Sequence, residues 1–323
     1  MTLTHAPEGG ASGSVYFDVS LSDDERRARL YDGQIFLYSS RPSVAAFASF
    51  ARSLIEEAFA PLDPERAQNE LSVERFAQIL AQLKPAFIHH PESKRHVESV
   101  LVDLGCDPDE THFDVPRLRS STSDGYLTTG FAYAWHPHRD TWYSAPPCQL
   151  NWWLPVFPVR HDNTMAFHPR YFGEAVPNDS AGYNYYEFNA AHRGRHVATY
   201  TKADPRPLPR PTQPISLESQ LRLMPPVGGI MLFSGAQMHS SVPNTSGVTR
   251  YSIDFRTVHR GDVAARRGAP NVDSQCTGTT MRDYRRVSDY AQLPEELIAL
   301  YDDGTGSGGK LVYDPGASAG GAR

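Results

Sequence analysis

The sequence predicts a mainly β domain, a barrel or jelly roll covered on one side by helices. Three observations lead there. Long helical periodicity is confined to the first third of the chain, and from Phe113 short strand-like runs punctuated by proline and glycine take over. A length of 323 residues is enough for a large buried core. Helices laid on one face of such a sheet would cover its outer side.

Taken in order, residues 1–14 are small and polar and are expected to be disordered. The folded domain is expected over 15–262, with its helical part at 41–105. There Val44, Phe47, Phe50, Ala51, Leu54, Ile55 and Ala58 make one apolar stripe at three-and-four spacing. Phe76, Ile79, Leu80 and Leu83 make a second, with Ser72 placed to cap it. Val97, Val100, Leu101 and Leu104 make a third, which ends near Gly105. The β part is expected over 113–258, interrupted by a lid-like insertion at 171–224 that holds tyrosines, His192-Arg193-Gly194-Arg195-His196 and a proline-rich stretch. Residues 263–323 form a C-terminal extension with a short helix near Pro294 to Leu300, expected to be mobile from about 302.

Charge and cysteine usage narrow the function classes. A formal charge of −6 gives no general affinity for nucleic acid or membrane surfaces, so a small-molecule substrate is expected. No run of eighteen apolar residues is present, and Met1 to Pro7 lacks the charged and apolar regions of a secretory leader. Three cysteines without motif spacing argue against a disulfide framework. These features predict a cytoplasmic protein; they do not decide its oligomeric state.

The chemistry is concentrated in a few residues. His138 and Asp140 are two apart, so on a strand both would share one face. His239 follows far downstream, behind an apolar strand-like run ending at Ser234 and a turn. Two imidazoles and a carboxylate can cap one face of an octahedron around a ferrous ion and leave the other face open. Arg250, on the return strand, carries a guanidinium suited to fork onto a buried carboxylate, and Ser252 shares its face. Arg256 shares that face too and is the second-ranked clamp. His136 competes with His138 as a ligand, although Pro137 disfavours a straight strand there.

These residues resemble the Fe(II)/2-oxoglutarate-dependent dioxygenases, specifically the phytanoyl-CoA-hydroxylase-like superfamily. The resemblance spans 113–258 and rests on His138-Arg139-Asp140, Gln149 to Val156, Asn163 to Pro169, and His239 with Arg250. It implies a double-stranded β-helix core of the jelly-roll or cupin kind. It also implies Fe(II) held by His138, Asp140 and His239, with 2-oxoglutarate and O2 as co-substrates. Arg250 would hold the distal carboxylate of 2-oxoglutarate. Trp153 would flank it, and Gln149 and Asn151, on the face of Trp153, would line the same site. The implied reaction hydroxylates, or otherwise oxidises through C–H abstraction, a small polar metabolite while 2-oxoglutarate becomes succinate and CO2. An aspartate at 140 points away from halogenation, because related halogenases carry a small residue there. Arg193, Arg195 and Tyr185 of the insertion are the expected substrate contacts.

Two other classes share these residues. A cupin-like metalloenzyme without 2-oxoglutarate would use the triad but not Arg250. A non-catalytic jelly-roll binding protein would bury the histidines as structural groups. Other motif matches fail: His138-Arg139-Asp140 spells a kinase catalytic loop, but Ala145 stands where its asparagine belongs. Gly304 to Lys310 nearly matches a phosphate loop, but Leu311 replaces the magnesium-binding hydroxyl.

Overall fold

Ser22 and Glu25 open the first helix with a reciprocal capping box, each satisfying the other's backbone N–H. In the computed structural model, which describes residues 13–128, 136–192 and 206–304, this helix and a strand before it stand ahead of the three predicted stripes. The order is β1 (Val15–Phe17), α1 (Asp23–Tyr31), β2 (Ile35–Tyr38), α2 (Pro42–Phe59), α3 (Val73–His89) and α4 (Pro91–Asp103). The three stripes fall on α2, α3 and α4. Ser72 accepts from the Arg75 N–H at 3.2 Å as the cap of α3, and Gly105 ends the helical region with φ +77°.

Then follow β3 (Thr111–Phe113), β4 (Arg117–Ser121), β5 (Leu150–Pro155), β6 (Met165–Phe167), α5 (Tyr185–His192), β7 (Leu221–Leu223), β8 (Ile230–Ser234), β9 (His239–Ser241), β10 (Arg250–His259), α6 (Arg260–Ala265), β11 (Arg285–Arg286) and α7 (Glu295–Ile298). The fold mixes helices with a large antiparallel sheet. Most strands have five residues or fewer, whereas α2 and α3 run for 18 and 17 residues, α3 with Pro85 inside it.

The large sheet has the order β1-β2-β8-β5-β10-β3-β11, with β4 also on β10, and is antiparallel except for β1 on β2. A second sheet, β7-β6-β9, has three strands. This pairing is consistent with a jelly-roll-like fold. β10 organises it: Tyr251, Ile253 and Phe255 enter the main core with the helices, so Arg250, Ser252, Asp254 and Arg256 lie on the other face. That core includes Phe47, Phe76 and Phe87 from α2 and α3, and Trp152 stacked on Phe255.

The expected insertion and the C-terminal extension both contain regular elements. Within 171–224, β7 pairs with β6 as part of the second sheet, and α5 is helical. After residue 262, β11 adds a strand beside β3, so the C-terminal stretch up to 304 belongs to the same body. The expected disorder of 1–14 falls almost wholly outside the described residues, as does mobility beyond 304. No helix among the described residues is long and apolar enough to cross a membrane.

Candidate metal centre

The ligand segment is not a strand. Asp140 starts a 3-10 turn, Asp140–Tyr143, while His138 makes a lone antiparallel bridge with His239. Each of the two histidines donates its backbone N–H to the other's carbonyl, at 3.0 and 2.9 Å, which sets their rings side by side, 4.3 Å between centroids. Asp140 swings in from the turn, its own N–H on the Gly235 carbonyl at 2.8 Å. Asp140 therefore reaches the histidines through a turn and a bridge, not through the period-two face expected of a strand; Pro137 and the turn end the extended run.

His138, Asp140 and His239 are all buried and offer ligand atoms within 4.8 Å of one another. Asp140 Oδ1 lies 3.6 Å from His138 Nε2 and 3.8 Å from His239 Nε2, too long for hydrogen bonds and open enough for an ion between them. Both tautomers are fixed from behind: His138 Nδ1 donates to the His136 carbonyl at 2.8 Å, and His239 Nδ1 to the Gln237 carbonyl at 2.9 Å. Nε2 of each ring is thereby a lone pair facing the carboxylate, which is the arrangement a metal needs. Burial, with the His138 ring beside it, pushes the His239 imidazole down to about 3, so it stays neutral. This two-His-one-carboxylate set fits an Fe(II)-binding triad. His136 is not part of it; its Nε2 meets the Pro209 carbonyl at 2.7 Å, and burial holds its pKa down to about 4.

The other oxygen of Asp140 is fully occupied. Gln149 Nε2 and Asn151 Nδ2 each donate to Oδ2 at 2.8 Å, and Arg256 Nε approaches at 3.5 Å. Gln149 is itself held by the Tyr284 hydroxyl, which donates to Oε1 at 2.7 Å. Burial alone would raise the Asp140 carboxyl, but Arg256, with the two histidines, overrides it and holds it well below the usual range. Gly235 makes the close approach possible, since a Cβ there would stand 3.2 Å from Gln149 Nε2. Gln149 and Asn151, expected beside a co-substrate, line the cavity; each gives one amide N–H to the metal ligand, and Gln149 gives a second to Asn151 Oδ1 at 2.9 Å. Arg256 sits among Asp114, Asp140 and Asp254 at 3.4, 3.5 and 3.6 Å, so it serves carboxylates of this chain and is no rival clamp. Arg139, 1% exposed, turns the opposite way: it donates to the Ala236, Tyr171 and Glu174 carbonyls and pairs with Asp273, fastening the ligand turn to the segment before His239.

Arg250 opens on the same cavity, of about 610 Å³, that contains the triad. Its guanidinium lies over the Trp153 ring at 5.8 Å, and one terminal nitrogen donates to the Asn163 and Thr164 carbonyls. Its Nε is buried without a hydrogen-bond partner, and no carboxylate among the described residues is within ion-pairing distance. Burial lowers its pKa to about 10, leaving it charged at neutral pH. The Ser252 hydroxyl is also buried and unpartnered, although Ser252 does not itself line the cavity. Tyr185 lines it and donates its hydroxyl to Asp283. Arg193 and Arg195 lie outside the described residues. Tyr284 and Asp114 had no local signal in the sequence. The polar row on β10 did, since a strand that alternates apolar residues with Arg, Ser, Asp and Arg is built to place charge in an interior site.

No protein-family model matches the sequence, and no curated protein matches it. Solved structures similar to this chain include the epimerase SnoN in complex with Fe3+, alpha ketoglutarate and nogalamycin RO, with a TM-score of 0.38 and 14% identity over 73% of this chain and 83% of that one. EvdO2 from Micromonospora carbonacea var. aurantiaca, complexed with 2-oxoglutarate, has a TM-score of 0.41 and 12% identity over 75% of this chain and 93% of that one. The carbocyclase SnoK from nogalamycin biosynthesis has a TM-score of 0.36 and 15% identity over 82% and 96%. These neighbours are non-heme alpha-ketoglutarate-dependent enzymes or, for EvdO2, bind 2-oxoglutarate.

Proposed function

We propose that this chain is an Fe(II)/2-oxoglutarate-dependent oxygenase on a double-stranded β-helix, of the phytanoyl-CoA-hydroxylase-like kind, acting on a small organic substrate with polar groups. The observation that carries the reading is Arg250: a charged, buried guanidinium with an unpartnered Nε, in the same cavity as a His-Asp-His triad. Asp254 favours its charge from beyond ion-pairing distance, but a buried cation that no carboxylate pairs directly is costly unless a ligand does so. A dicarboxylate that reaches the metal with one end would supply it with the other. The donor set fits as well, because imidazole and carboxylate match Fe(II) and no thiolate competes.

When bound, iron and 2-oxoglutarate supply the oxidising chemistry, in which R–H, O2 and 2-oxoglutarate give R–OH, succinate and CO2. The protein's own residues orient and insulate. His138 and His239 present Nε2 because their Nδ1 atoms are committed to backbone carbonyls. Asp140 offers Oδ1 alone because Gln149, Asn151 and Arg256 hold Oδ2. Trp153 shields Arg250 on one face, which strengthens its hold on an anion by excluding water. Tyr185 and the tyrosine-rich segment around it form part of the wall where substrate would lie, with Arg193 and Arg195 as further contacts.

The test is an anaerobic titration of metal-free protein with Fe(II) and then 2-oxoglutarate, read by the weak visible charge-transfer band of a chelated keto acid. The band is expected in the wild type, absent in His239→Ala, and to need roughly 10- to 100-fold more 2-oxoglutarate in Arg250→Ala. Bound iron without a band would favour a metalloenzyme that does not use 2-oxoglutarate. No bound iron would remove the metal reading altogether.

A further inference from the structure

One face of α5 is turned to the cavity. Tyr185, Phe188 and Asn189, three and four residues apart, all line it. The start of the helix is fixed. The Asn184 side-chain oxygen accepts from the Tyr186 and Glu187 N–H groups at 2.9 and 3.0 Å, and its nitrogen donates to the Thr277 hydroxyl at 2.9 Å. Tyr185 adds its own N–H to the Thr277 carbonyl at 3.1 Å and its hydroxyl to Asp283. Anchored in this way to the 277–283 segment, the face holds its groups in set positions.

Asn189 is only 6% exposed, and its amide nitrogen is buried without a hydrogen-bond partner. A buried donor left unpaired is unfavourable, and an apolar side chain of the same size would avoid the penalty. The amide is accounted for if a molecule entering the cavity accepts from it. The wall beside it is aromatic. Phe188 lies 5.3 Å from Tyr183 between ring centroids, Tyr183 stands edge-on to Tyr143 at 5.5 Å, and Tyr143 edge-on to the ligand His138 at 5.5 Å. All three rings line the cavity, so aromatic surface extends from the metal ligand to α5. The Asp283 carboxylate, which lines the cavity and is held by Tyr185, disfavours an anion at this face.

We propose that Asn189 is the residue that sets substrate specificity: its amide N–H recognises a neutral oxygen acceptor, such as a ring ketone, on a flat ring system seated along Tyr143, Tyr183 and Phe188. The role as substrate rests on the oxygenase reading above, whereas the binding site stands on α5 and the aromatic rings alone. Flat rings gain from stacked or edge-on contacts beyond the area they bury, which a saturated body of the same size does not. The row of rings begins at His138, so a molecule lying along it has one end beside the metal ligand. Fixing its acceptor at Asn189 then selects which of its carbons faces the centre. A cavity of about 610 Å³ is within the usual range for a drug-sized ligand.

The experiment is a ligand-observed NMR titration of protein loaded with Zn(II) and 2-oxoglutarate. The probes are 1-indanone, indane, which lacks the ketone, and octahydroinden-1-one, which keeps the ketone on saturated rings. Indanone is expected to bind roughly fivefold more tightly than either of the others. Asn189→Leu should erase the preference over indane by weakening indanone alone, and it should not lower Tm, because the amide it removes has no partner in the protein. Tyr183→Leu should weaken indanone and indane together. Equal affinity for indanone and indane, or a preference that survives Asn189→Leu, overturns the role of Asn189. A clear fall in Tm in Asn189→Leu overturns it too, since the amide would then be serving the fold. Octahydroindenone binding as tightly as indanone overturns the aromatic seat. If 2-oxoglutarate itself fails to bind the Zn(II) protein, the oxygenase reading falls, while the same series on metal-free protein still decides this site.

Discussion

Replacing Arg256 by methionine should strongly destabilise the metal-free protein. Three carboxylates lie within 3.6 Å of its guanidinium, but they are not equally dependent on it. Asp254 keeps Arg119, and Asp114 keeps Arg117. Asp140 keeps only the neutral amides of Gln149 and Asn151. The substitution therefore strands one buried carboxylate, a loss of about 3–5 kcal/mol. In a chain of 323 residues that corresponds to a fall in Tm of roughly 4–8 °C, read by thermal unfolding followed by tryptophan fluorescence. Adding Asp140→Asn in the same chain removes the stranded charge and should recover most of the fall. Zn(II) should raise Tm more in Arg256→Met than in the wild type, since the ion replaces the missing positive charge beside Asp140. A fall of under about 2 °C, or a double variant less stable than Arg256→Met, would refute the claim that Arg256 acts by compensating Asp140.

Tyr284→Phe deletes the hydroxyl that holds Gln149, so metal affinity in a chelator-competition titration should fall about tenfold; unchanged affinity would sever the C-terminal segment from the centre. His136→Gln should retain one equivalent of bound metal and His138→Gln should lose it, as measured by metal analysis after gel filtration, and the reverse pattern would exchange their roles. His112 and His168 are both buried and both pushed down to about 4, mainly by burial. Each binds its proton more readily in the unfolded chain, with its ordinary value of 6.5, so their stability contribution is present above that value and lost as pH falls towards 4. Metal-free protein should lose Tm progressively below about pH 6.5, and His168→Gln should flatten that slope; a slope that does not change would contradict the depressed value for His168.

Much of this molecule was legible residue by residue. Apolar stripes at helical spacing located α2, α3 and α4, because burying one face of a helix requires that spacing whatever lies beneath it. His138, Asp140, His239 and Arg250 stood out by donor chemistry and order in the chain, and the structure brings all four to one cavity. α1 is also spelled in the sequence, by the Ser22-Asp23-Asp24-Glu25 capping box, whereas the period-two spacing of His138 and Asp140 implies a strand where the chain in fact turns.

What the sequence could not assign was the use made of each polar side chain. Gln149, Asn151 and Arg256 were each recognisable as interior polar residues, but they could have met a ligand, a metal or one another. Only packing directs them to Asp140, and only packing brings in Tyr284, which lies 135 residues from the glutamine it holds. The physical reason is one of range. A metal-ligand set is fixed by the chemistry of its donor atoms, which is local, whereas the balance of charge around a buried carboxylate is set by every group within a few ångströms, and those groups become neighbours only once the sheet, the ligand turn and the C-terminal segment have come together.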